Sequence, residues 1–364
     1  MRILFQTIGV LVQYNWALPY YLSTLTEGIR IDNLTNLFSY LMGGYYYHLK
    51  SLRKIAPIFE RTGVNKGKTL DRIFRAIHIK KLAMKKNYDI IHLNHFDEEL
   101  LVTNSPKIFT LHGSLDEPNP NACNMLRKIQ RHVDAVVAPT NHSAKTVEEA
   151  CGLDVKVIHH GVDTEIFNPY TISQYKAKKT LKLPSNKMLV LWVGRISPEK
   201  NLEMALKVLK KVITERKDIV LIVKGRAIEQ SYMLKIKRLI KKLGIERHVL
   251  FDLKWIRNMM MMHYYRASDV YIHTSVTEAF GLTIAEAMAC GTPVVAYKKS
   301  AVPEVVGDAG YLVNDVEEFA EKILEILNNE ELRRYIGLKA VKRFREKFSL
   351  ETTASKYFQL YKRL

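Results

Sequence analysis

Short β-branched runs alternate with longer, partly amphipathic stretches twice over in this chain, and the doubled alternation limits the folds open to it. "RILFQTI", "YDIIHL", "KIFTLHG", "DAVVAPT" and "KVIHHG" form a first set, separated by stretches such as "RIFRAIHIKKLAMKKN" and "HSAKTVEEACG". A polar, lysine-rich stretch, "TISQYKAKKTLKLPSNK", interrupts the pattern and reads as a linker. The pattern restarts with "MLVLWVG", a helix over residues 202–216, "DIVLIVKG", a helix over residues 232–243, then "HVLFDL", "SDVYIHTS", "TPVVAY" and "GYLV". Strands of a parallel sheet covered by helices read as such apolar runs, because both faces are buried. With 364 residues the chain exceeds one typical core. The expectation is an α/β chain of two Rossmann-like domains, residues 1–168 and 169–364. The first strand is expected over residues 3–8, and residues 317–364 read as helix broken near Ser349.

Composition narrows the class. The apolar fraction of 47% and charged fraction of 26% are those of a soluble globular protein. No run of 18 apolar residues occurs, so no membrane-spanning helix is expected. The N-terminus is interrupted by Gln6, Gln13 and Asn15 and lacks a small-residue cleavage site, so a buried first strand explains it better than a leader. Cys123, Cys151 and Cys290 are scattered without CxxC spacing, and reduced buried thiols in a cytoplasmic protein are expected. The net charge is +19, and residues 50–86 hold twelve Lys/Arg against two acids. Such a concentration suggests an anionic partner: a lipid surface, a nucleic acid or another polyanion. Tyr45, Tyr46 and Tyr47 precede it, and Ile73, Phe74, Ile77 and Leu82 form an apolar stripe within it, as on a helix lying in a headgroup layer. A solvated helical face packed on the first sheet accounts for the same residues.

Two motifs fall at strand ends, where open α/β sheets bind ligands. "VGRISPEKN" follows a strand and precedes a helix. Gly194 allows a close turn, while Arg195 and Lys200 offer a fork and a point charge suited to a diphosphate. "TSVTEAFGLTIAEAMACG" reads as a loop followed by a short helix ended by Gly291. Helix-starting amides near Phe280, Gly281 and Leu282 are donors with partial positive charge. Glu278 precedes them and Glu286 lies one turn in, both acceptors for sugar hydroxyls. A surface-charged turn, a capping Glu278 and a half-exposed helical Glu286 would serve the fold alone. Met259–Met262 read as soft core filling.

The E-x7-E pattern of "TEAFGLTIAEAMACGTPVVA", with "VGRISPEKN" before it and "VIHHGVDTEIF" at the junction, resembles the retaining glycosyltransferases of family 4. The resemblance is close over residues 157–313 and loose before them. It implies the GT-B fold: two Rossmann-like domains facing across a cleft, with the C-terminal helix crossing back onto the first. It also implies a hexosyltransferase moving a hexose from a UDP-, GDP- or ADP-sugar to a glycan or lipid-linked hydroxyl. Arg195 and Lys200 would hold the diphosphate, Glu278 the transferred sugar and Glu286 the ribose. The amides of Phe280, Gly281 and Leu282, with Gly194 and Gly113, would line the donor pocket, and Lys224 and Gly225 would lie near the nucleobase. His112, at the end of "TLHG", would face the donor sugar. Gly9, Asn94 and His95 would stand on the acceptor side, although "TIGVLVQYNWALPYY" carries one glycine where the family has a pair. No Asp-x-Asp occurs, so no metal or other cofactor is expected. A sugar-nucleotide epimerase or hydrolase of the same fold would keep the nucleotide clamp without the acceptor. A nucleic-acid-binding protein would explain the charge, but no such module appears. The resulting picture is a cytoplasmic enzyme, with docking at the cytoplasmic membrane face through residues 45–86.

Overall fold

The computed structural model describes residues 1–5, 18, 30–33, 88–94, 104–117, 119–256 and 258–364. Gly9, His95 and the basic segment over 45–86 lie outside the described residues. The first sheet holds β1 (Arg2–Phe5), β2 (Arg30–Asn33), β3 (Ile90–Leu93), β4 (Lys107–Thr110), β5 (Ala135–Ala138) and β6 (Lys156–Val157), in the order β2-β1-β3-β4-β5-β6. Its pairs are parallel. Among the described residues, α1 (Pro120–Gln130) and α2 (Asn141–Cys151) lie along the chain after β4 and β5. Cys123 on α1 and Cys151 at the end of α2 are joined by a disulfide, which corrects the expectation of reduced thiols; Cys290 is free and buried. The spacing of 28 residues hides this pairing, because only the packing of two helices brings the sulfurs together.

The second sheet holds β7 (Met188–Ile196), β8 (Ile219–Ala227), β9 (Val249–Asp252), β10 (Val270–His273), β11 (Val294–Tyr297) and β12 (Tyr311–Val313), in the parallel order β12-β11-β10-β7-β8-β9. One face is covered by α4 (Leu202–Glu215), α5 (Gln230–Leu243) and α9 (Val316–Asn328). The other is covered by α3 (Gln174–Thr180), α6 (Asn258–Ala267), α7 (Leu282–Ala289), α8 (Val302–Val306) and part of α10 (Glu330–Lys347). The lysine-rich "linker" is therefore partly α3, whose Ala177 joins that core with Leu181 just after the helix. Local polar residues outweighed a short apolar face there. Of the methionine run only Met262 is fully buried, while Met259 is 67% exposed, so that run is not uniform core. The C-terminal helical stretch breaks at Asn329 as well as Ser349, each capping the helix that follows.

The last helix, α11 (Leu350–Tyr361), leaves the second domain and closes the core of the first. Leu350, Ala354, Tyr357, Leu360 and Tyr361 pack with Ile3, Ile90, Ile108 and Val137. Two tyrosine hydroxyls fix the register: Tyr361 bonds His92 Nδ1 at 2.6 Å and Tyr357 bonds Thr110 Oγ1 at 2.9 Å. Thr110 also bonds His92 Nε2 at 2.8 Å, so the buried polar groups satisfy one another. Burial first, with the nearby His112 second, holds the His92 imidazole down at about 3. The chain thus crosses between domains twice. The crossings lie side by side, with Val162 N–H donating to Phe348 O at 2.9 Å and Leu350 N–H to Val162 O at 3.1 Å.

Candidate active site

At the C-terminal ends of β7 and β10 two loops hold each other. Val276 N–H donates to Glu199 O at 2.9 Å, and Thr274 Oγ1 donates to Lys200 O at 2.9 Å. Trp192 Nε1 in turn donates to Thr274 at 3.0 Å. This lattice brings the Lys200 ammonium onto Glu278 Oε1. His273 Nε2 lies 3.2 Å from the same oxygen, and its Nδ1 is 3.0 Å from Tyr271 Oη. Burial alone would raise the Glu278 carboxyl; the His273 ring and the Lys200 ammonium overcome it and bring it down to about 2. Glu278 is therefore a carboxylate at neutral pH. It is not a helix cap: the cap of α7 is Gly281, at φ +89, a left-handed conformation that glycine adopts without steric cost. The amides of Phe280, Gly281, Leu282 and Thr283 donate to no carbonyl among the described residues. They form a donor cluster next to the charged pair.

Glu286 is 8% exposed, not the half-exposed surface residue that helix periodicity alone allows. Tyr265 Oη donates to its Oε2 at 2.6 Å, and burial pushes the carboxyl up to about 7 despite that bond. A carboxyl that changes charge near neutrality can both accept and donate to a diol. Arg195 is 61% exposed and pairs with Glu199 at 3.1 Å, so its guanidinium stands at the surface beside Lys200. Gly194 and Gly225 lie opposite each other on β7 and β8. A Cβ on Gly225 would sit 1.8 Å from Gly194 O, so this pair admits no side chain there. Lys224 is buried, donating to Asp252 Oδ1 at 3.2 Å and Lys254 O at 2.5 Å. Its charge holds the turn after β9 in place.

Across the junction, His112 follows β4. Its Nε2 lies 2.9 Å from Asn94 Oδ1 and its Nδ1 lies 3.3 Å from His160 Nε2. The two candidates His112 and Asn94 are thus in direct contact. Burial lowers the His112 imidazole to about 4, so it is neutral at pH 7 and acts as a hydrogen-bonding group rather than a cation. His160 stacks on His112 at 5.1 Å and meets Phe280 edge-on at 5.5 Å. This ring ladder joins the imidazole of one domain to the loop before α7 of the other. Gly113 beside it is exposed.

The residues that sequence reasoning left unassigned lie at the domain junction. Glu304 on α8 accepts from Asn141 N at 2.9 Å, Asn141 Nδ2 at 2.7 Å and His142 N at 3.1 Å, the first amides of α2, and from His159 Nε2 at 2.8 Å. Thr140 and Ser143 hydroxyls donate to Ala279 O at 2.8 and 2.9 Å. Asp116, His142 and Ser300 form a further bridge. A proline–glutamate pair after a strand hints at Glu304; nothing in the sequence singles out Ser300.

Comparison with known proteins agrees with this anatomy. Residues 46–166 match the model described as Glycosyltransferase Family 4, and residues 173–343 the model described as Glycosyl transferases group 1. The chain is 26% identical over 306 residues to the N-acetyl-alpha-D-glucosaminyl L-malate synthase of Bacillus anthracis, covering 79% of this chain and 77% of that one. It is 36% identical over 180 residues to the D-inositol 3-phosphate glycosyltransferase of Mycolicibacterium smegmatis, covering 48% of this chain and 40% of that one. The fold matches the Anabaena protein HepE, solved with UDP and glucose, at a TM-score of 0.75 and 23% identity over the whole of both chains. A glycosyltransferase from Rickettsia africae matches at a TM-score of 0.75 and 21% identity, covering 100% of this chain and 98% of that one. With one model over each domain and the E-x7-E loop in the second, the chain belongs to glycosyltransferase family 4 and is a glycosyltransferase of the GT-B fold.

Proposed function

We propose that this enzyme moves a hexose, with retention of configuration, from a nucleotide-diphosphate sugar to a hydroxyl of a glycan or lipid-linked acceptor. The observation that carries the reading is the Lys200–Glu278 pair beside the amides of Phe280, Gly281 and Leu282. A cation and a helix start mark an anion site, and a fixed carboxylate beside it suits the hydroxyls of the sugar attached to that anion. In this reading Arg195 and Lys200 take the diphosphate, Glu278 orients the sugar and Glu286 meets the ribose. Lys224 and Gly225 shape the floor near the base, and His112 faces the sugar from the first domain. The bond from the anomeric carbon to the diphosphate oxygen breaks. The acceptor oxygen bonds that carbon from the same face, and its proton passes to the departing nucleoside diphosphate. Charge grows on the leaving phosphate, where preorganised donors act most strongly.

UDP-sugars come first for testing, because HepE structures hold UDP, glucose and UDP-glucose. Thermal shift against UDP-, GDP- and ADP-sugars should show one base raising the melting temperature, as binding to the folded state stabilises it. Arg195→Ala with Lys200→Ala should abolish that shift, each charged contact being worth roughly 1.5–3 kcal/mol. Glu278→Gln should lower turnover more than nucleotide affinity, and Glu286→Ala the reverse. An undiminished shift in the double variant would remove the diphosphate assignment. No helix among the described residues is long and apolar enough to cross a membrane. Residues 45–86 are proposed as the membrane-docking segment. Co-sedimentation should need anionic liposomes and fall with salt and on reversing Lys80, Lys81, Lys85 and Lys86 to Glu; indifference to both lipid charge and salt would refute it.

A further inference from the structure

The Glu278 side chain is held by Lys200 and His273, but its backbone is held by a residue with no assigned part. Ser300 Oγ accepts from Glu278 N–H at 3.1 Å and lies 2.7 Å from Glu278 O. The same oxygen lies 2.8 Å from Asp116 Oδ2 and 3.3 Å from His142 Nε2. A hydroxyl has one proton, so it donates either to the Glu278 carbonyl or to the Asp116 carboxylate, and the latter is the stronger acceptor. Asp116 Oδ1 is 2.6 Å from His142 Nε2, and Ser114 donates to Oδ2 at 3.1 Å. This is no relay of the serine-hydrolase kind. One nitrogen of His142 faces both Asp116 and Ser300, so no base is held between them.

Two facts give the serine meaning. Its backbone sits at φ +52, a left-handed conformation that glycine would adopt more cheaply. A serine is held there at a conformational cost, and its hydroxyl is the group bonded to the Glu278 backbone and Asp116. Second, Asp116 lies on the loop after β4, four positions beyond His112. Ser300 therefore ties the loop that carries Glu278 to the loop that carries His112, across the domain junction.

We propose that Ser300 is a positioning residue for the transfer step, fixing the Glu278 backbone against Asp116 so that closure of the domains sets Glu278 and His112 at their working separation. The inference rests on the roles proposed above for those two residues. Ser300 touches neither side chain in the site, so its loss acts through the Glu278 loop and not through nucleotide contacts.

The test uses the full-length enzyme with whichever of UDP-glucose, UDP-N-acetylglucosamine, GDP-mannose or ADP-glucose the wild type turns over. Ser300→Ala removes the hydroxyl and keeps the backbone cost; Ser300→Gly removes both, which keeps a folded variant in hand. Both should lower kcat about tenfold or more, with the Kd for the nucleoside diphosphate within twofold of wild type. Amide exchange in a peptide covering residues 276–282 should quicken, because Glu278 N–H loses its acceptor. Asp116→Asn should lower kcat in the same way and add little to Ser300→Gly, since both break one bridge. Wild-type kcat in Ser300→Gly, or a parallel loss of nucleotide affinity, would overturn the proposal. Unchanged exchange over 276–282 would do so as well. Glu278→Gln separates the two readings. If it leaves turnover intact, the role of Glu278 fails; if it abolishes turnover while Ser300→Gly does not, the positioning role alone fails.

Discussion

Glu304 is where a single substitution should loosen the two domains by a measurable amount. Its carboxylate receives two backbone amides and one side-chain amide from the start of α2, and His159 besides. Burial would raise its pKa, but the His159 and Asn141–His142 hydrogen bonds win and hold it at about 2, below the ordinary 4.5. That displacement corresponds to about 3 kcal/mol of folded-state preference for the charged form. Solvent reaches one side of the group, so about 1–2 kcal/mol is the expected net contribution after screening. Glu304→Gln keeps the shape and one acceptor and should lose that amount at pH 7, read from urea unfolding at matched slope. The sign with pH follows from the depressed value. The contribution is fully present above pH 4.5 and lost as the pH falls towards 2, so the wild-type and Gln curves should converge, with less than about half the gap left at pH 3. A variant within about 0.3 kcal/mol of wild type at pH 7, or a gap undiminished at pH 3, would refute the clasp.

Glu286 should behave in the opposite sense: its folded pKa is raised to about 7, so ionisation costs stability as pH rises from the ordinary 4.5 through 7. Glu286→Gln should therefore melt higher than wild type at pH 8 and match it at pH 4, while weakening nucleotide binding; equal melting at both pH values would reject the buried carboxyl. Gly225→Ala places a methyl 1.8 Å from Gly194 O and should cost about 3 kcal/mol or abolish soluble expression; a stable variant would show that β7 and β8 can part.

The sequence makes the second domain legible because its central strands β7 and β8 are long apolar runs and its motifs fall directly after strands. Lys200, Glu278 and Glu286 all fall within 87 positions of one another in a single domain (residues 200–286), and strand ends bring them together. The helix α3 stayed hidden because a short amphipathic turn among lysines has almost no periodic signal, and the break at Asn329 because one capping residue separates two long helical patterns. The disulfide, the Glu304 clasp and the Ser300 bridge stayed hidden for another reason. Each joins residues whose proximity depends on how whole helices and domains pack, and a left-handed serine has no mark in one-dimensional pattern. Glu278 is readable as the first carboxylate of the E-x7-E loop, yet its low pKa depends on His273 and Lys200 converging from separate strand ends.

The side-by-side crossings at Val162 and Ser349 also set what kind of relative motion the enzyme has. A single tether would let one domain tumble freely about a swivel. Two chain segments joined by one parallel bridge behave as a strap hinge: they flex about an axis lying along the junction and resist twisting or sliding, which would shear both hydrogen bonds at once. Since α11 is riveted to the centre of the first sheet by Tyr357 and Tyr361, neither leaf of that hinge can slip along the other. Opening and closing about such a hinge follow one axis, so the loop that carries Glu278 and the loop that carries His112 return to the same registration.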